Sequence, residues 1–304
     1  MSTSVLFDAP GPKARTRHRI VAIVGAVLLL AMIAVAVRAL ANNGEFAGAK
    51  WSPFLDWSTW RFYLLIGLWN TIRAATLSVA LALIFGFVFG MGRLSEIAVV
   101  RWISGAVVEF FRSVPVLIMM IFFFGIYAYG QVFSPSINPL AAVVTALTLY
   151  NGAVIAELVR SGVHGLPGGQ REAGLSVGLT QTQTLRTILL PQAVTAMLPA
   201  LVSQLVVVLK DTALGTIITY PELLQQGRNL ASSRSNVIPT LMVVAVIFIT
   251  INYLLTLLAG RIEARINRRG HTAGGAVTAA PTVPGADLAE TVEPEPAGAP
   301  KDRT

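Results

Sequence analysis

Apolar residues gather into six long runs, at about 20–41, 61–92, 102–129, 139–160, 192–218 and 236–260. Most approach or exceed the roughly 20 residues that cross a bilayer as a helix. The pattern predicts an all-α membrane protein with about six transmembrane helices. Between the fourth and fifth runs the pattern changes. "REAGLSVGLTQTQTLRTILLP" (171–191) is polar and punctuated by glycine where a short loop would suffice. Pro167-Gly168-Gly169 breaks the preceding helix. Residues 170–177 then read as a short helix stopped by Gly178. Thr180 and Gln183 fit a capping box that starts the next helix, with Leu185, Ile188 and Leu189 giving it an apolar face. Pro191 suits a restart or kink at the next span. Two readings of this hairpin remain open from the residues alone: an interfacial connector, or a docking handle for a cytoplasmic partner.

The charges fix an expected orientation. Lys13, Arg15, Arg17 and Arg19 precede the first run, and Arg93, Arg101, Arg160, Arg171 and Arg186 fall in loops on the same side. Arg261, Arg265, Arg268 and Arg269 follow the last run, whereas the opposite side holds only Arg38, Lys50, Arg61, Arg228 and Arg234. This bias predicts N-in, C-in. "ALA" at 39–41 resembles a signal-peptidase site, but the run before it exceeds the 7–15 residues of a signal core, so an uncleaved span is expected. Expected domains are a basic cytoplasmic N-terminus (1–19), a first span with an outer interfacial segment anchored by Trp51, Trp57 and Trp60 (20–60), a five-helix core (61–260) with its cytoplasmic loop (161–191), and a disordered cytoplasmic tail (261–304). No internal repeat of the inverted-repeat transporter kind is evident.

Composition agrees: 54% of the 304 residues are hydrophobic and 12% charged, against about 25% charged in a soluble domain. The formal net charge of +8 sits at the ends of apolar runs, as topology signals do, so no nucleic-acid partner is expected. The chain has no Cys, its three His are scattered, and it lacks GxxxxGK[ST]. No thiolate or metal site and no nucleotide-binding loop of its own are therefore expected.

Ionisable residues within spans are costly and become functional candidates. Arg73 counts to about 18 Å from the outer start of its span, and Arg112, with Glu109 one turn before it, to about 15 Å from the inner side. Lys210 and Asp211 fall in the outer half of theirs, pointing about 100° apart. Internal ion pairing and lining of a substrate pathway both fit these positions. Three cations against two anions favour an anionic or zwitterionic substrate. Glu157 and Arg160 close the fourth span. "GFVFG" (86–90) marks close helix packing, within the chain or against another subunit.

Glu172-Ala173, Gly178 and Ile188-Leu189-Leu190-Pro191 resemble the EAA signature of ABC-importer permeases, with Gly174 in place of the second Ala. "GLWNTIRAATLSVALALIFG" (67–86), "EFFRSVPVLIMMIFFFG" (109–125), "AELVRSGVHGLPGGQREAG" (156–174) and "LPALVSQLVVVLKDTALGTIITYPELL" (198–224) resemble the polar amino acid permeases. "FFRSVPVLIMM" is most similar to their glutamate/aspartate branch.

The resemblance implies a type I ABC importer permease (MetI-like) fold in a bacterial cell membrane. It also implies that Gly169, Arg171, Glu172, Ala173, Gly174, Gly178 and Pro191 form a coupling element for a cytoplasmic ABC ATPase dimer. Arg73, Glu109, Arg112, Lys210, Asp211 and Thr212 become candidates for the substrate pathway. A second permease subunit and an extracellular amino-acid-binding protein complete the implied assembly. No cofactor is expected on this chain, ATP-Mg belonging to the partner ATPase. The resemblance implies import of a polar amino acid, glutamate first, with glutamine, aspartate or basic amino acids as alternatives. A self-sufficient secondary transporter or channel is the runner-up. No nucleophile–base pair supports an intramembrane enzyme.

Overall fold

A computed structural model of the chain describes residues 11–273. Those residues form α1 (Pro12–Asn42), α2 (Gly48–Trp51), α3 (Trp57–Thr59), α4 (Leu65–Arg93), α5 (Ala98–Ser113), α6 (Val116–Tyr129), α7 (Asn138–His164), α8 (Gly168–Ser176), α9 (Gln181–Thr184), α10 (Leu190–Asp211), α11 (Leu223–Arg234) and α12 (Val237–Ala273), with no strand among them. Five helical runs are long and apolar enough to cross a membrane, and six if the bent pair α5–α6 counts as one.

That pair corrects the third expected span. The run at 102–129 is not one helix: α5 and α6 meet at 98°. The cause is local. Pro115 excludes the helical region for the residue before it, and Val114 is extended at φ −88°, ψ 125°.

The central helix is α7, against which α4, α5, α6 and α10 all pack. Its seam with α4 rests on the two glycines of the GFVFG stretch. A Cβ on Gly86 would lie 2.5 Å from Ile155 Cγ2, and one on Gly90 2.8 Å from Val159 Cβ. The small-residue motif therefore packs within the chain. Buried Ala142, Val143, Ala146 and Leu147 of α7 then meet Ala74, Met119, Met120 and Val208. Among the polar ties across this interior, Gln204 Nε2 donates to Asn151 Oδ1 at 2.7 Å, and Asn151 Nδ2 to the Leu147 carbonyl at 3.0 Å.

Other boundaries differ from the sequence reading. Helix α1 starts at Pro12, so the basic cluster is helical, and none of its most apolar stretch is buried. The fifth span is part of one helical run from Gln181 to Ile218, because the second arm of the hairpin continues into it. A π-helical turn, Leu185–Leu189, precedes Pro191. It takes the place of the expected restart. Helix α12 continues to Ala273, so 261–273 of the tail expected to be disordered is helical; residues 274–304, like 1–10, lie outside the described residues.

Candidate functional site

The hairpin is built as its residue types require. Helix α8 ends in two bonds, Gly178 N to the Leu175 carbonyl at 3.0 Å and Leu179 N to the Gly174 carbonyl at 3.2 Å. These are the paired bonds of a Schellman stop. They need a left-handed residue, and Gly178 supplies it at φ +85°. The capping box is present in both directions: Gln183 N to Thr180 Oγ1 at 3.2 Å, and Thr180 N to Gln183 Oε1 at 2.9 Å.

Beneath the hairpin, Val163, Leu185, Leu189 and Ala193 form a buried cluster against Met91, Leu94 and Ile188. Thr182 Oγ1 adds a bond to Glu96 Oε1 at 3.0 Å. Gly174 is buried in this contact, where a Cβ would lie 2.6 Å from Thr184 Cγ2. The departure from the EAA pattern therefore has a packing reason: the two arms touch at Gly174.

Gly169, Arg171, Glu172, Ala173 and Pro191 are exposed. Leu175 in the last turn of α8 and Val177 just after it, 41% and 77% exposed, lie near them. An ordered helix showing two apolar side chains beside charges is suited to contact another surface. The sequence reading had passed over these two residues.

The intramembrane charges divide into two groups. Arg93, at the hairpin end of α4, binds Glu157 Oε2 at 2.6 Å and Glu109 Oε1 at 3.3 Å. Arg112 reaches both carboxylates at 3.5 Å. Arg160 makes a forked contact with Glu157, at 2.5 Å from Nη2 to Oε1 and 3.3 Å from Nε to Oε2.

Five residues thus tie α4, α5 and α7 together next to the hairpin. This corrects the expected depth of Glu109 and Arg112. Arg73 lies 20 residues before Arg93 on α4, roughly 30 Å away along the helix, so it does not share a level with Arg112. The bend after Ser113 is the reason, because it keeps α5 at the hairpin end.

The second group is at the far end. Arg73 is exposed and makes no ion pair among the described residues. Lys210 is exposed and lines a cavity of about 510 Å³ beside α12, while Asp211 is half-buried and absent from that lining. The two side chains diverge as the helical spacing predicts. Thr212 is buried, its Oγ1 donating to the Leu209 carbonyl at 2.6 Å where α10 gives way to a 3₁₀ turn.

Helix α11 was hidden in an expected loop. Glu222 caps it, accepting Leu224 N and Gln225 N at 2.7 Å each. Burial pushes the Glu222 carboxyl up to about 7, against the pull of those two N–H groups. The preceding segment is pinned to α4 by Asn70 Nδ2 to the Pro221 carbonyl, Tyr220 OH to the Asn70 carbonyl and Leu223 N to Thr71 Oγ1. The string Tyr220-Pro221-Glu222 carried a legible signal: an acidic N-cap just after a proline.

A helical bundle around α7, with a capped and anchored hairpin at one end, is the build of a membrane-spanning subunit. Residues 82–268 match the family described as binding-protein-dependent transport system inner membrane component. The chain is 47% identical to the glutamate transport system permease protein GluD of Corynebacterium glutamicum, over 81% of this chain and 89% of that protein. It is 30% identical to the glutamine transport system permease protein GlnP of Escherichia coli K12, over 69% and 97% respectively. A crystal structure of an amino acid ABC transporter with histidines superposes with a TM-score of 0.62 at 25% identity, covering 66% of this chain and 93% of that one.

The chain belongs to this family of inner-membrane components: it is an ABC importer permease of the polar amino acid group, a transport subunit rather than an enzyme.

Proposed function

We propose that this permease imports L-glutamate, with ATP hydrolysed by a dimer of separate cytoplasmic ATPase subunits. The observation that carries the substrate is the 47% identity to a glutamate permease over most of both chains. The unpaired Arg73 and the exposed Lys210 supply cations for an acidic solute on the far half of the bundle.

In this reading the hairpin end is cytoplasmic, N- and C-termini included. Leu175 and Val177 seat in an ATPase groove, with Arg171 and Glu172 at its rim and Gly169, Ala173, Gly174, Gly178 and Pro191 shaping the element. ATP binding draws two such hairpins together, one from this chain and one from a second permease subunit. Because α8 rests at Gly174 on Thr184 and Ile188 of the second arm, and that arm packs on Val163 of α7 through the buried cluster, its displacement tips the bundle outward-open. An extracellular binding protein delivers the amino acid, Arg73, Lys210, Asp211 and Thr212 line its path, and hydrolysis restores the inward-facing state. Glu109 and Arg112 act with Arg93, Glu157 and Arg160 as the tie that moves α4, α5 and α7 as one.

Labelled glutamate uptake in cells lacking the chain, and in cells with it restored, tests the reading. Restored uptake should be blocked by excess unlabelled glutamate or aspartate and not by glutamine or arginine. Glutamate uptake that never depends on the chain would remove the substrate. Independently, Val177→Asp should abolish copurification of the ATPase while leaving membrane insertion intact.

A further inference from the structure

A cavity at the hairpin end lies outside the hairpin itself. It measures about 860 Å³ and opens between the end of α4, the exposed face of α5 and the end of α7. Its chemistry is divided. Arg93, Arg101 and Arg160 supply the cationic part with the His164 ring beside them, and no carboxylate is among the lining residues. Glu109 and Glu157 lie among Arg93, Arg112 and Arg160, two anions for three guanidiniums, so the group keeps excess positive charge.

Arg101 is held in place by Nη1 donating to the Ser95 carbonyl at 2.8 Å. His164 donates from Nδ1 to the Arg160 carbonyl at 2.8 Å. The floor is apolar: Ala98, Val99, Trp102 and Ala106 follow one face of α5, while Ser104 and Val108 on the other face are buried in the bundle. Val99 is 66% exposed and Trp102 77%.

We infer that this cavity binds an anionic phospholipid, its phosphate among Arg93, Arg101, Arg160 and His164 and its acyl chains over Val99 and Trp102. Guanidinium forks match phosphate geometry, and cationic pockets at the membrane surface between helices hold anionic head groups. A free phosphate would use the cations and leave the apolar floor unexplained. A zwitterionic lipid would use the floor and bring a choline ammonium against four basic side chains. Trp102 suits the interface between head group and chains. The site lies one short loop from the hairpin, since the 94–97 turn that Arg101 holds also bonds the hairpin through Glu96.

The full-length chain, purified in a neutral detergent, would be mixed with phosphatidylglycerol or with phosphatidylcholine of the same chains. Retained lipid would be counted by native mass spectrometry. Ala106→Glu places a carboxylate in the cavity without removing any bond, and Ala106→Gln is its neutral control. Arg101→Gln removes one cation. Phosphatidylglycerol should be retained over phosphatidylcholine. Each charge change should weaken that retention by roughly fivefold, with Ala106→Gln unchanged. A second measurement needs no charged variant: at one retained lipid per chain, brominated-chain phosphatidylglycerol should quench a larger share of the tryptophan fluorescence in the wild type than in Trp102→Phe, whose four other tryptophans lie elsewhere.

Equal retention of the two lipids, or an Ala106→Glu protein that binds like the wild type, would overturn the proposal. So would displacement of the lipid by millimolar inorganic phosphate that is itself retained, because the site would then be one for a free anion.

Discussion

At the scale of single residues, Gly174 shows how a departure from a family pattern can be set by one neighbour. The wall it meets is Thr184, 1% exposed and β-branched, so it cannot swing aside as a long side chain would. Gly174→Ala should cost about 1–3 kcal/mol by overpacking and lower transport, although alanine is the better helix former. Thr184→Ala should cost little on its own, since its buried Oγ1 has no hydrogen-bond partner among the described residues. The double variant should recover most of the loss, measured as thermal melting in a double-mutant cycle; an additive double variant would place the cause elsewhere. Glu222 makes a second residue-level case. Its folded value of about 7 lies above the ordinary 4.5, so between those values the folded chain holds a proton that the unfolded chain has released. Stability from this group is therefore present at low pH and is lost as pH rises through about 7. Melting temperatures measured at roughly pH 5 and pH 8 should fall in the wild type and fall less in Glu222→Gln. Equal slopes would show that Glu222 does not titrate in this window.

At the scale of elements, the α4–α7 seam depends on the absence of side chains. Gly86→Ala would press a methyl onto Ile155 and should cost about 1–3 kcal/mol. Gly25→Ala, where a Cβ meets nothing within 4 Å, should be neutral or slightly stabilising. Comparing the two melting temperatures separates packing from helix propensity, and a similar change in both would dismiss the seam. The seam was legible in GFVFG, though its partner was not, because spacing along one helix does not say which surface it meets. The hairpin was legible almost bond by bond, since a capping box and a Gly stop act within a few residues. The bend between α5 and α6 was written in Ser113-Val114-Pro115 but hidden by the surrounding apolar run, and hydropathy does not register a missing N–H. The ion network was legible only in its local pairs, Glu109 with Arg112 and Glu157 with Arg160 at i,i+3 spacing; Arg93 joins them only because that bend folds α5 back over the ends of two other helices. The same long-range cause displaced Arg112 from mid-depth.

At the scale of the whole molecule, the two groups of charge stand at opposite ends of the bundle. The five-residue network ties α4, α5 and α7 together beside the anchored loop, and the far end keeps Arg73 and Lys210 free of ion pairs among the described residues. In the proposed mechanism the paired charges stand beside the coupling hairpin and the unpaired ones on the side from which solute enters. That division has a meaning only if the two ends face opposite compartments, and the absence of cysteine makes this measurable. Val177→Cys marks the hairpin and Ser232→Cys the far end, both at exposed positions. With the basic residues of the hairpin end held inside, a membrane-impermeant maleimide applied to intact cells should label Ser232→Cys and spare Val177→Cys. Inverted membrane vesicles should give the reverse. Labelling of Val177→Cys from outside would leave the hairpin beyond the reach of any cytoplasmic ATPase, and the coupling mechanism would fail with it, whatever the amino acid carried.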